Sequence, residues 1–154
     1  MTKEKEQTLG YTFRFIETLE FEIIEDAFDK EKPGNLSTHL QFGSNSEKQT
    51  IAVTCRFQFM QEEKPFMIIV VKCIFELEES AWNRLLDEEQ MRVTLPVRFA
   101  SHLAMTAIGT IRGILHEKTK GSKFDRLILP PVDLKQIVSK DIVLENQQDK
   151  DEDS

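Results

Sequence analysis

Cysteine, glycine, proline and tryptophan are scarce in this chain: 154 residues hold two Cys, six Gly, five Pro and one Trp. Two cysteines cannot make a disulfide framework. Cys55 and Cys73 both stand inside alternating apolar runs, so each reads as a reduced, buried hydrophobe. No apolar run approaches the roughly 18 residues that a membrane-spanning helix needs. Residues 1–6 are charged with no apolar stretch behind them, so neither a leader nor a membrane insertion is expected, and the chain reads as cytoplasmic. Positive charge is also in deficit. Lys and Arg number 20 against 27 Asp and Glu, a formal charge of −7, with the acids gathered in residues 17–31 and 145–154. A chain of that sign makes nucleic acid a poor general partner. No internal repeat is present.

The residue patterns of familiar catalytic and metal sites are missing too. His116-Glu117 starts like a zinc-protease helix, but the position four residues after His116 is Lys120, which cannot replace the second histidine ligand. His39 falls in a predicted strand, and His102 and His116 lie fourteen residues apart in the predicted long helix, without paired cysteines, so neither a metal site nor a cofactor is expected. Gly121-Ser122-Lys123 lacks the upstream glycine and the residue order of a phosphate loop, and no Gly-x-Ser-x-Gly elbow occurs. Carboxylates abound, but on strand faces and in tails that water reaches, where nothing raises a pKa for acid catalysis. No catalytic residues are assigned.

What is present is enough apolar material for one core, including eleven Phe. A domain of this length buries about 70% of its unfolded surface without metals or cross-links. Residues 11–23 alternate with period two, which predicts a long strand with Glu20 and Glu22 on its wet face. Pro33-Gly34 breaks the run before a second strand over residues 36–42. A third strand spans 50–60, with Ile51, Val53, Cys55, Phe57 and Phe59 on one face. A fourth spans 66–78, where Phe66, Ile68 and Val70 flank Met67, Ile69 and Val71, which predicts cover on both sides. Glu76 and Glu78 lie on its wet face.

Ser80 caps a predicted short helix reaching residue 90. A longer helix begins near Pro96, tolerated in a first turn, and runs to about residue 117. At about 100° per residue its core face holds Val97, Ala100, Leu103, Ala104, Ala107, Ile108, Ile111, Ile114 and Leu115. The opposite face holds Arg98, His102, Met105, Thr106, Gly109, Arg112 and Gly113. Two readings fit Gly109 and Gly113: the nearness of the helix end tolerates them, or they let a second backbone approach closely. On the second reading the protein is an oligomer with His102, Thr106, Gly109 and Gly113 at its interface. Arg112, Lys118, Lys120, Lys123 and Arg126 cluster around a loop that reads as solvated cations at a helix C-terminus, with a phosphate site as the sharper alternative. Pro130-Pro131 keeps the following stretch extended. Asp133 then caps a last helix bearing Leu134, Ile137, Val138 and Ile142. The domain boundaries expected are a flexible segment over 1–9, one α+β domain over 10–144 and an acidic, disordered tail over 145–154.

Leu95-Pro96, Arg112-Gly113 and Leu127-Ile128-Leu129-Pro130-Pro131-Val132-Asp133-Leu134 resemble the SecB export chaperones, whose corresponding stretch reads Leu-Asn-Leu-Ala-Pro-Val-Asn-Phe. The match spans residues 95–138, a little under a third of the chain, and the four strands agree in order and pattern. Residues 79–93 depart from the family in carrying charge where it has Gly and small residues, and the loop over 118–126 is longer. The resemblance implies a four-stranded antiparallel sheet followed by a long helix and a short C-terminal helix. It implies assembly as a dimer of dimers, a homotetramer, with the long helices between two sheets. It also implies a chaperone with a groove for unfolded polypeptide, carried here by Phe28 and Leu36 beside the crossover between the first two strands, and by Leu134, Ile137 and Val138. An ordinary core role fits each of the five as well. An acidic docking face for the translocation motor SecA would consist of Glu20, Glu22, Glu76 and Glu78, which solvation alone also explains. Two other classes stay open: a protein dedicated to one partner, such as an antitoxin, and an enzyme of hot-dog type. The latter needs a carboxylate near a helix N-terminus, and no acid stands at the start of the long helix.

Overall fold

A computed structural model describes residues 8–127 and 129–145. Period-two alternation becomes four strands, β1 (Tyr11–Ile23), β2 (Asn35–Asn45), β3 (Thr50–Gln61) and β4 (Lys64–Leu77). They form one antiparallel sheet in the order β1-β4-β3-β2. The chain therefore crosses from one sheet edge to the other between β1 and β2, through residues 24–34. Gln61 and Lys64 pair across a two-residue turn in which Glu62 and Glu63 both have positive φ, 52° and 67°. That is the hairpin geometry whose twist matches the strands.

After β4 come α1 (Glu79–Leu85), β5 (Leu86–Asp87), β6 (Arg92–Leu95), α2 (Val97–Thr119), α3 (Leu134–Ile137) and β7 (Ile142–Glu145). The order is thus the expected one: four antiparallel strands, a long helix, an extended proline-containing linker and a short C-terminal helix. α2 lays Ala100, Leu103, Ala104, Ala107, Ile108, Ile111 and Leu115 on the sheet, all buried. They meet Ile51, Val53, Cys55 and Phe57 of β3 and Met67, Ile69, Val71, Cys73 and Phe75 of β4, each wholly buried. Both cysteines are free, and burial raises their thiols to about 12 for Cys55 and about 11 for Cys73. They are protonated packing groups.

Several expectations are corrected. Ser80 does not cap α1, which starts at Glu79 behind Glu78 without a side-chain cap. The helix also stops at Leu85 instead of reaching residue 90. The Asp87 carboxylate accepts from the N–H groups of Glu89 (3.1 Å) and Gln90 (3.3 Å), turning the chain into the β5–β6 hairpin. The last helix is one turn, and Ile142 belongs to β7, whose Ile-Val-Leu run suits a strand and pairs with β6 in a second, three-stranded sheet. Asp141, just before it, accepts from Val97 N–H at 2.8 Å and so caps α2 from 44 residues further on. A carboxylate does therefore stand at the start of the long helix, as its cap.

Alternation in β1 is broken by irregularities at Arg14 and Leu19, which leave Phe15, Ile16 and Leu19 exposed at 66%, 53% and 49%. On β4 the second apolar face is covered, but by neighbours on the sheet and not by another layer. Val70 lies between Glu20 of β1 and Arg56 of β3, whose side chains form an ion pair at 3.3 Å, and Ile68 lies between Glu22 and Gln58. Phe66 does not share that face, because the irregularity between Phe59 and Met60 leaves it without a β3 partner. It turns to the side of Phe59, their ring centroids 6.2 Å apart. Residues 1–7 and 146–154 of the expected flexible termini lie outside the described residues. Among the described residues no helix is long and apolar enough to cross a membrane.

Candidate functional site

Four phenylalanines from four separate segments meet where β3 ends and β4 begins. Phe28 of the crossover lies 4.8 Å from Phe66 and 5.0 Å from Phe124, centroid to centroid, and Phe66 lies 6.1 Å from Phe124. Phe59 completes the cluster through Phe66. Edge-to-face and offset ring pairs of this kind add about 0.5 to 1.5 kcal/mol each beyond simple burial. The Lys123 ammonium stands over the Phe28 and Phe124 rings, at 5.8 and 5.6 Å.

Beside this cluster is an open depression of about 390 Å³, walled by Phe28, Leu36, Phe59, Phe66, Leu127 and Pro130. A more polar one of about 810 Å³ adjoins it and shares Phe28, Lys30, Lys32 and Gln61 with it. Two clamps shape the walls. The first is the buried Gln61 side chain: its Oε1 accepts from Asp29 N–H at 2.9 Å, and its Nε2 donates to the carbonyls of Asp29 (2.9 Å) and Lys32 (3.1 Å). One acceptor facing one N–H, and one amide nitrogen facing two carbonyls, allow a single orientation of the amide. Gly34 passes so close to the end of β3 that a Cβ there would come within 3.1 Å of the Met60 carbonyl oxygen. The second clamp is Arg112, which donates from Nε to the Leu129 carbonyl at 3.1 Å and from a terminal nitrogen to the Pro130 carbonyl at 3.3 Å. It ties the extended linker to α2.

Of the residues named from sequence, Phe28 and Leu36 both line this depression. Leu134 and Ile137 pack half-buried against the core, Val138 is buried at 3% exposure, and none of the three lines the depression. The acidic residues do not gather at one point. Glu20 and Glu22 pair with Val70 and Ile68, and Glu76 pairs with Thr12, six residues or about 20 Å further along β4. Glu20 is engaged by Arg56, and Glu76 by Arg14 at 2.6 Å. Glu78 lies past the strand end beside Gly10.

On α2, His102 and Thr106 bond within the chain. His102 Nε2 is 2.7 Å from the Tyr11 hydroxyl, and the Thr106 hydroxyl donates to the His102 carbonyl at 3.0 Å. Gly109 and Gly113 have open space where a Cβ would stand, and Met105 beside them is 59% exposed. The residues that sequence reasoning missed are Leu127 and Pro130 as walls, Phe124 in the ring cluster beside them, and Gln61 and Arg112 as clamps. Arg112 carried a signal as one cation of the basic cluster, and Leu127 and Pro130 as part of the stretch that resembles the SecB family. Among the described residues no group of His, Cys, Asp and Glu is arranged to hold a metal ion.

No family model and no curated protein sequence matches the chain. Among solved structures it is similar to a Mycobacterium tuberculosis SecB-like chaperone in complex with a ChAD peptide from the HigA1 antitoxin. Identity is 10% over 79% of this chain and 90% of that one, with a TM-score of 0.48. It is also similar to a protein of unknown function from Streptococcus agalactiae, at 13% identity over 82% of this chain and 100% of that one, with a TM-score of 0.41.

Removing the Gln61 clamp deletes three hydrogen bonds from a buried site, each worth about 1 kcal/mol net. Gln61→Ala is expected to lower the unfolding free energy in urea by about 2 to 3 kcal/mol. A loss below about 0.5 kcal/mol would show that the crossover is held by its phenylalanine alone.

Proposed function

We propose that this chain is a SecB-like binding protein for unfolded polypeptide, and that the aromatic depression at the end of the sheet is its docking site. The observation that carries the reading is an open apolar surface built from Phe28, Leu36, Phe59, Phe66, Leu127 and Pro130 and held by two polar clamps. An extended segment buries apolar side chains there without sequence-specific contacts. β2, which starts at Asn35 beside Leu36, is an edge of the four-stranded sheet with β7 lying near part of it, so strand addition would use the outer backbone groups that β7 leaves uncovered. The segments that resemble the SecB family support the same reading, because Arg112 of one binds the carbonyls of Leu129 and Pro130 in another. In this reading Leu134, Ile137 and Val138 contribute to the core and not to the wall of the site. Glu22 and Glu78 remain the carboxylates of the acidic set without an ion pair among the described residues, and they stand about 33 Å apart along β4, too far for one docking face.

The protein acts as a homo-oligomer in this reading. A second copy fits against the bare side of α2, where Met105 is exposed and Gly109 and Gly113 leave room for a close backbone.

The parent protein is expected to delay the aggregation of a denatured client diluted from urea, followed by light scattering, and Leu36→Asp to abolish most of that delay while the fold is retained. A parent protein that leaves aggregation unchanged rejects the chaperone reading. In size-exclusion chromatography with light scattering, the mass at micromolar concentration is expected to be a multiple of the 17.9 kDa chain. A stable monomer rejects the assembly.

A further inference from the structure

The charges around the docking site do not follow those of the chain as a whole. The protein carries −7, yet the charged residues lining the apolar depression are Lys30 and Lys32, and its lining holds no Asp or Glu. The adjoining polar depression adds Lys64 and Lys123 to the same two lysines, with Asp26, Asp29 and Glu62. Two of those three acids are already drawn to one cation: Lys32 Nζ lies 3.1 Å from Glu62 and 3.9 Å from Asp29. Lys32 offsets one of those two charges, so the lining carries four lysines against three carboxylates, a net excess of one positive charge, with Lys30, Lys64 and Lys123 outside any ion pair among the described residues. Lys123 is also held in place over the Phe28 and Phe124 rings, at the junction of apolar wall and charged rim.

We propose that the segment accepted here is apolar with Asp or Glu next to its apolar residues. This inference rests on the polypeptide-binding reading and specifies its client. The apolar side chains of such a segment lie against Phe28, Phe59 and Phe66, and its carboxylates reach Lys30, Lys64 and Lys123. Charge complementarity selects by two routes. Acidic flanks are attracted to the trough and repelled by the rest of an acidic protein, which favours docking in one place. Basic flanks are repelled at the trough and attracted to the acidic surface elsewhere.

The test uses the full chain and two dye-labelled peptides with one shared Leu- and Phe-containing core, flanked in one by Asp and Glu and in the other by Lys. Fluorescence anisotropy is expected to show the acidic-flanked peptide binding roughly three- to tenfold tighter at low salt, the effect of one to two partly exposed ion pairs. The difference is expected to shrink in 0.5 M salt, as screening requires at a Debye length of about 4 to 5 Å. Lys30→Gln, at an exposed position, should remove part of the preference with an unchanged melting temperature, and Lys30→Glu with Lys123→Glu should reverse it. Equal affinities, or a preference for Lys flanks, overturn this inference and leave the polypeptide-binding reading standing. Binding of neither peptide overturns both.

Discussion

A single buried amide holds the working end of this molecule together. Because β1 and β2 occupy opposite edges of the sheet, residues 24–34 must travel across it, and a crossover of that kind has no ladder of its own to satisfy its backbone. Gln61, the last residue of β3, supplies what the ladder would have supplied: an acceptor for Asp29 N–H and donors for the carbonyls of Asp29 and Lys32. With the loop tied at those points, Phe28 comes down on Phe66 and Phe124, and Lys123 closes over the rings. Without the tie, the ring contacts would have to meet the loop's ordering entropy alone.

The other wall of the site obeys the same logic in a different residue. Leu127, Leu129 and Pro130 lie in an extended linker, again without a strand partner. Arg112 reaches from α2 to two successive carbonyls, a geometry that suits the fixed fork of a guanidinium. Polar clamps thus hold the apolar walls in place and leave the depression between them open. An apolar surface held open by hydrogen bonds differs from a core that failed to close, and it is the physical basis for assigning binding to this end of the sheet.

Much of the fold could be read from sequence where a period was uninterrupted. β3 and α2 show this most directly: every residue placed on the inner face of the third strand is buried, and so is every residue of the α2 core face except half-buried Val97 and Ile114. The failures occur where a tertiary partner overrides a local pattern. Irregularities in β1 and beside Phe66 shift the alternation, and no residue type marks their positions. Asp141 caps a helix that begins 44 residues earlier, and residues 142–145, which continue a helical pattern locally, are captured as a strand by β6. The site was half legible. Phe28 and Leu36 could be placed through the resemblance, whereas Gln61, at the end of a strand, has no mark in the sequence that sets it apart. Its role exists only once a chain segment some thirty residues distant is brought beside it.

The central claim is that polypeptide docks on the trough formed by the crossover and the linker. Amide hydrogen exchange of the protein with and without a saturating unfolded client measures this most directly. The account predicts slowed exchange concentrated in residues 28–36 and in the linker around Leu127 and Leu129, with the outer sheet face around Glu20 and Glu76 unchanged. Protection confined to that outer face, or spread evenly along the chain, would contradict it.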